Sequence, residues 1–148
     1  MIVEVTINEE LIKEIITHPR LFNKTQGKGH KPEEFKINPQ VTYLVLRDGE
    51  TNLGIIETLE LTNCVLEVHI HILPITERAK MVKEQGAPAL HEYIRNAGYK
   101  KLFTRIPATC GHVLKLVQEL HYICCGSIDK GIIFNGLLQS VFFYEFEV

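Results

Sequence analysis

Glu67, His69 and His71 stand at alternate positions in the segment Cys64–Leu73, with Leu66, Val68, Ile70 and Ile72 between them. Successive side chains of a strand point to opposite faces. A strand here therefore gathers a carboxylate and two imidazoles on one face and four aliphatic side chains on the other. Three kinds of chemistry fit that face. A Glu or His beside an incoming amine can take its proton, provided its pKa lies near the working pH. His-x-His with a carboxylate can ligate zinc. The same groups can also do no more than hydrogen-bond to one another and to neighbouring strands. The sequence leaves the three open.

The elements that must position this segment follow from periodicity and punctuation. Met1–Thr6 reads as a short strand. Asn8 is a good N-cap ahead of Glu9 and Glu10, and Leu11, Ile12, Ile15 and Ile16 recur at helical spacing, which predicts a helix over 9–17 that ends at Pro19. Residues 19–40 are expected to be irregular. Their lysines, Lys24, Lys28, Lys31 and Lys36, suit either an anionic-ligand or partner loop or a solvated connector. Val41–Arg47, Leu53–Leu61 and Cys64–Leu73 then read as a three-strand meander, turning at Asp48-Gly49 and Thr62-Asn63. Pro74 stops the third strand. Residues 76–97 are helical in composition, with a kink or break expected where Pro88 follows Gly86. Lys101–Ile106 is a strand and 109–121 a helix. Ile123–Ser127 and Ile132–Phe134 are strand-like pieces around Asp129 to Gly131, and Asn135-Gly136 is a hairpin signal before the apolar strand Leu137–Phe146.

Bulk composition sets limits. The 148 residues are 45% hydrophobic and 23% charged, which suits one globular domain. A formal net charge of −2 argues against a nucleic-acid partner. No apolar run approaches the ~20 residues of a membrane span, and Met1-Ile2-Val3-Glu4-Val5 has no basic leader. Cys64, Cys110, Cys124 and Cys125 match no zinc spacing and read as reduced thiols of a cytosolic protein, three of them buried.

The order of elements, β-α-βββ-α-β-α-ββ, resembles the GNAT (N-acetyltransferase) superfamily, most clearly over Val41–Val148. Ile72-Leu73-Pro74 followed by Arg78 looks like that family's strand end and pyrophosphate-loop arginine. Gly98 closes a helix of the family's length, and Ile106-Pro107 precedes a helix ending in His121-Tyr122. The resemblance implies an α/β fold: a twisted mixed sheet with helices on both faces, in which 64–73 splays from 101–106. It implies acetyl-CoA in the gap, with the acetyl carbonyl on backbone near Ile72. The pyrophosphate would sit on the turn Arg78, Lys80, Met81, Val82 and Lys83, and Cys110 would lie at a cofactor contact. A general base would come from Glu67, His69 or His71.

The chain departs from the family's pattern in ways that bear on chemistry. Met81 and Lys83 stand where the family has glycines that let phosphate approach the backbone. Cys110 replaces an asparagine, His121 a glycine, and Val117 the tyrosine that would protonate the departing thiolate. The expectation is a degenerate site with weak or no acetyl-CoA binding. Within the superfamily, the opening residues Met1–Pro19 and Glu67–Pro74 resemble a phage-encoded branch of head-assembly proteins of short-tailed phages. That likeness implies a non-catalytic role in virion morphogenesis, with a phage structural or assembly protein as partner, in the infected host's cytoplasm or on the virion. The alternative is a working acetyl-CoA-dependent N-acetyltransferase. Phe142, Phe143, Tyr144 and Phe146 cannot all share one face of a strand, so a homo-oligomer contact is a further expectation.

Overall fold

Alternating apolar runs separated by tight turns build one mixed sheet. The computed structural model describes residues 1–25, 31–74, 79–134 and 136–148. Seven strands are found among them: β1 (Ile2–Val5), β2 (Thr42–Asp48), β3 (Thr51–Thr62), β4 (Val65–Ile72), β5 (Lys101–Pro107), β6 (Ile123–Phe134) and β7 (Leu137–Glu147). They lie in the order β1-β2-β3-β4-β5-β7-β6. The β4–β5 pair is parallel and every other pair antiparallel. The helices are α1 (Glu9–Ile16), α2 (Pro19–Thr25), α3 (Ala79–Met81), α4 (Ala87–Asn96) and α5 (Gly111–Glu119), with a π-helical turn over Val82–Gly86. No helix among the described residues is long and apolar enough to cross a membrane.

Each face of the sheet has its own core. The Asn8 side chain accepts a hydrogen bond from the Leu11 N–H at 3.1 Å and starts α1, which buries Ile12, Ile15 and Ile16 against Tyr43, Val45 and Ile55. On the opposite face Leu90 and Ile94 of α4 and Val117 of α5 pack on Leu44, Leu46, Ile56, Leu66, Val68, Leu102, Ile106 and Tyr144. Each fully buried Leu or Ile contributes roughly 1.5–3 kcal/mol. The two faces fix which way β4 points: Leu66 and Val68 enter the α4–α5 core, so Glu67, His69 and His71 must face the α1 side.

Three expectations need correction. Pro19 does not leave the chain irregular; it opens α2, a position a proline tolerates because its missing N–H would have no partner there. Asp129 to Gly131 do not separate two strand pieces. β6 is continuous, with an irregularity between Ile128 and Ile132 and Lys130 at φ 49°. Cysteine burial was overestimated: Cys64, Cys124 and Cys125 are exposed and Cys110 is half-buried, because two of them lie on the outermost strand. At Pro88, where a kink or break is expected, the helical run changes type: lacking an N–H, the proline cannot close an i→i−4 bond, and the π-turn Val82–Gly86 gives way to α4 just before it. The aromatic cluster of β7 is divided between the faces: Phe142 and Phe146 pack against the α4–α5 core, while Phe143 stacks on Phe103 at 5.7 Å.

Candidate functional site

β4 and β5 pair over three residues only, Val65↔Lys101, Leu66↔Leu102 and Glu67↔Phe103. Beyond Glu67 they part. β4 stays bound to β3 as far as Ile72, and β5 stays bound to β7 as far as Pro107. The sheet therefore opens a wedge whose closed end is at Glu67. From Val68 onward the inner edge of β4 has no described strand opposite it, and its peptide groups on that side can meet an extended ligand.

Glu67 is buried, 3% exposed, at the apex of the wedge. One of its oxygens, Oε1, accepts from His69 Nε2 at 2.8 Å and from Arg105 Nε at 2.5 Å. Burial pushes the Glu67 carboxyl up, but the hydrogen bonds and charges of His69 and Arg105 outweigh it and hold the group below its ordinary value. Glu67 is thus ionised at neutral pH and a poor proton acceptor. An ionised carboxylate requires a donor on Nε2 of His69, so in the neutral ring the lone pair is on Nδ1. The His69 side chain is 37% exposed, so it is the member of the set that a ligand can reach.

A second pair lies beside the first. His71 Nε2 is 3.1 Å from Glu57 Oε2 on β3, and its Nδ1 is buried without a hydrogen-bond partner. Glu57 is the cross-strand neighbour of His69, so two carboxylates and two imidazoles alternate on this face. Arg105 and Glu57 were not singled out from the sequence. Only the pairing register, which brings β3 and β5 against β4, reveals them. Among the described residues no group of three or more His, Cys, Asp or Glu side chains is arranged to hold a metal ion.

The open end of the wedge is less well equipped. Ile72 ends β4 there, half-buried. Arg78 lies outside the described residues. Lys80 is 83% exposed on its side chain and pairs loosely with Glu84 at 3.7 Å, whereas Lys83 is held by Glu119 of α5 at 2.5 Å. Met81 is half-buried, and Val82 packs against the α4–α5 core, so neither presents a polar group. Cys110 precedes α5 without capping it, and burial pushes its thiol up, away from thiolate chemistry. Val117 is buried in the core. Tyr122 shares a hydrogen bond with His91 Nε2 at 2.9 Å and packs on Phe146. Burial drives its hydroxyl far above its ordinary value. The wedge thus offers an unpaired strand edge at β4, and at its open end Lys80 is the described cation that is exposed and only loosely paired.

A cavity of about 440 Å³ opens beside the end of β4, lined by Glu14, Ile15, His18, Arg20, Leu73 and Pro74. Glu14 and Arg20, of opposite charge, both line this space and make no ion pair with another described residue.

No protein-family model matches the chain, and no curated protein matches it by sequence. Solved structures do match. A spermidine N-acetyltransferase from Vibrio cholerae, in complex with CoA and spermine, superposes with a TM-score of 0.78 and 12% identity, covering 98% of this chain and 94% of that one. A chimera of the Vibrio cholerae enzyme with hSSAT gives 0.76 and 13%, covering 99% and 96%. A Streptococcus mutans protein gives 0.69 and 13%, covering 99% of both chains. Likeness at this level of identity is likeness of fold. The architecture is the mixed α/β GNAT fold, with the wedge between β4 and β5 as its open site.

Proposed function

We propose that the chain is an acyl-CoA-dependent N-acyltransferase that modifies an amine, with His69 as the proton acceptor and Glu67 as the carboxylate that orients it. The observation that carries this reading is the Glu67–His69 hydrogen bond of 2.8 Å at the apex of the β4–β5 wedge. The spermidine N-acetyltransferases among the fold neighbours support the same class of reaction. Bound in the wedge, an acyl-CoA supplies an activated thioester. The chain's own part is then threefold. The free inner edge of β4 between Val68 and Ile72 lines up the extended arm. Glu67 fixes the His69 ring with Nε2–H inward and Nδ1 free. His69 Nδ1 removes the proton that an ammonium must lose before its nitrogen can attack. The cavity beside Leu73 and Pro74 gives room for the rest of the acceptor, and its unpaired Glu14 and Arg20 favour a charged one.

A second reading has its own observation. Val117 is buried in the core at the place where the family resemblance requires a proton donor, and Tyr122 is tied to His91. A chain relieved of chemistry keeps its core and loses such groups, which suits a GNAT-fold protein acting as a phage head-assembly component with a virion protein as partner. The two readings separate in one assay: purified protein, radiolabelled acetyl-CoA and a panel of amines and lysine peptides. Transfer that disappears in His69→Ala supports the enzyme. Absence of transfer, with stable capture of a virion protein, supports assembly.

A further inference from the structure

One aliphatic side chain on the α4–α5 face of β4 is left uncovered. Leu66, Val68, Ile70 and Ile72 alternate onto this face. Leu66 and Val68 are buried and Ile72 packs against the core, yet Ile70 is 48% exposed. Its cross-strand partner on β3, Ile56, is buried. What Ile70 lacks is therefore a neighbour on the other side, where β5 has left β4.

An ion pair joins the helices on either side of that gap. The helical run Ala79 to Asn96 follows β4 and α5 follows β5, so each of the two parting strands leads into a helix on this face. The helices do not run close together along their length. Lys83, in the π-turn of one, reaches Glu119, the last residue of the other, at 2.5 Å. Both side chains are 40% exposed. Solvent screens a pair so placed, and it adds little to stability. Glu119 also has a second cation within reach. Lys115 Nζ, one turn back on α5, lies 3.9 Å from its Oε1. The carboxylate thus stands between an ammonium on the opposite helix and one on its own.

We propose that Glu119 is a built-in competitor of the anionic ligand: it holds Lys83 until phosphate takes the ammonium, and it then turns to Lys115. This assignment rests on acyl-CoA as the ligand of the wedge. An arm laid against Ile70 lies between the two helices, and its diphosphate end meets the pair that joins them. A diphosphate brings two charges and several acceptor oxygens, against one charge and two oxygens on Glu119, so it is the better partner for Lys83. Lys80, loosely paired one turn earlier, receives the same anion without a competitor of this kind from α5.

Calorimetric titration of the full chain with acetyl-CoA and, separately, with inorganic pyrophosphate tests this, with thermal melts to check that each variant folds. Glu119→Gln frees Lys83 and is expected to tighten acetyl-CoA about tenfold. Lys83→Gln leaves the carboxylate facing the anion and is expected to weaken binding. The double variant removes both charges and is expected to return near the wild type. Glu92→Gln removes the same charge from an exposed position of α4, roughly 13 Å further along the run, and is expected to change nothing. A Glu119→Gln protein that binds both probes no better than the wild type, or a Glu92→Gln protein that gains as much, overturns the proposal and leaves acyl-CoA in the wedge standing where the wild type binds it. Pyrophosphate bound more tightly by Glu119→Gln, with acetyl-CoA bound by neither protein, keeps Glu119 as the competitor and overturns acyl-CoA as the ligand. Neither probe bound by any variant overturns both.

Discussion

Arg105 reaches back along the diverging strands to Glu67. Its Nε lies 2.5 Å from the Glu67 oxygen that also receives His69, although the residue paired with Glu67 in the sheet is Phe103. The guanidinium thus ties β5 to β4 at the point where their backbone ladder ends. It also neutralises a carboxylate that is 4% exposed while remaining half-exposed itself. The consequence is a rigid apex with an ionised Glu67. Of the three polar residues on β4, His69 is the one whose side chain is more than a third exposed.

Arg105→Met removes the tie but keeps the apolar stem. Glu67 is left buried with His69 as its sole partner, which is expected to cost about 1–3 kcal/mol of stability. The cost stays below that of breaking a fully buried pair because the guanidinium is half in water. Urea unfolding of the variant checks this. A midpoint equal to that of the wild type would mean that the contact contributes nothing.

The same group sets an acid limb. The folded pKa of Glu67 is depressed, so its contribution to stability is complete above the unfolded value near 4.5 and is lost as pH falls through the folded value. His91 adds to the trend from a higher pH. Burial lowers its pKa below 6.5, the unfolded chain takes up the proton first, and stability declines as pH falls below that point. The melting temperature is expected to fall on acidification from pH 7.5, with Glu67→Gln flattening the lower part of the curve and His91→Phe the upper part. A Glu67→Gln curve parallel to the wild type below pH 4.5 would count against the pairing.

His69→Ala and His71→Ala should fail in different ways. His69 is reachable and Nδ1-free, so its loss is expected to lower acyl transfer by about 10²–10⁴-fold with the melting temperature nearly unchanged. His71 is buried against Glu57, so its loss is expected to destabilise by roughly 1–3 kcal/mol and to lower activity only as folding suffers. Steady-state kinetics beside thermal melts separates the two, and equal effects on both readouts would remove the distinction.

Gly54 controls the far end of the same strand. A Cβ there would lie 2.4 Å from the His71 carbonyl oxygen, which is backbone and cannot turn aside. Gly54→Ala is therefore expected to force β3 from β4 and to cost about 3 kcal/mol, at the upper end for overpacking. Gly49→Ala is a useful comparison. Nothing lies near its Cβ, and its φ of 57° alone carries the cost, so it should destabilise less.

Local pattern made much of this legible from the sequence. The alternation in 64–73 put Glu67, His69 and His71 on one face, because a strand leaves no other choice, and the order of elements was sufficient for the GNAT fold. What escaped depended on pairing between distant segments. Arg105 is remote in sequence from Glu67, and no local rule connects them. Glu57 lies on a different strand, 14 residues from His71 in the chain. Pro19 was taken as a stop because a proline ends the helix before it as readily as it starts the next. The thiols of β6 looked buried because nothing in their neighbourhood says that the strand is outermost.

The most direct test of the account is calorimetric titration of the wild type with acetyl-CoA. Under the proposed function the thioester arm lies along the wedge and Lys80 stands nearest the diphosphate among the described cations. The prediction is saturable one-to-one binding with Kd on the order of 100 micromolar, about −5.5 kcal/mol, weakened further by Lys80→Glu. No saturable heat up to about 1 mM acetyl-CoA, an affinity poorer than roughly −4 kcal/mol, would contradict the assignment of the β4–β5 wedge as an acyl-CoA site.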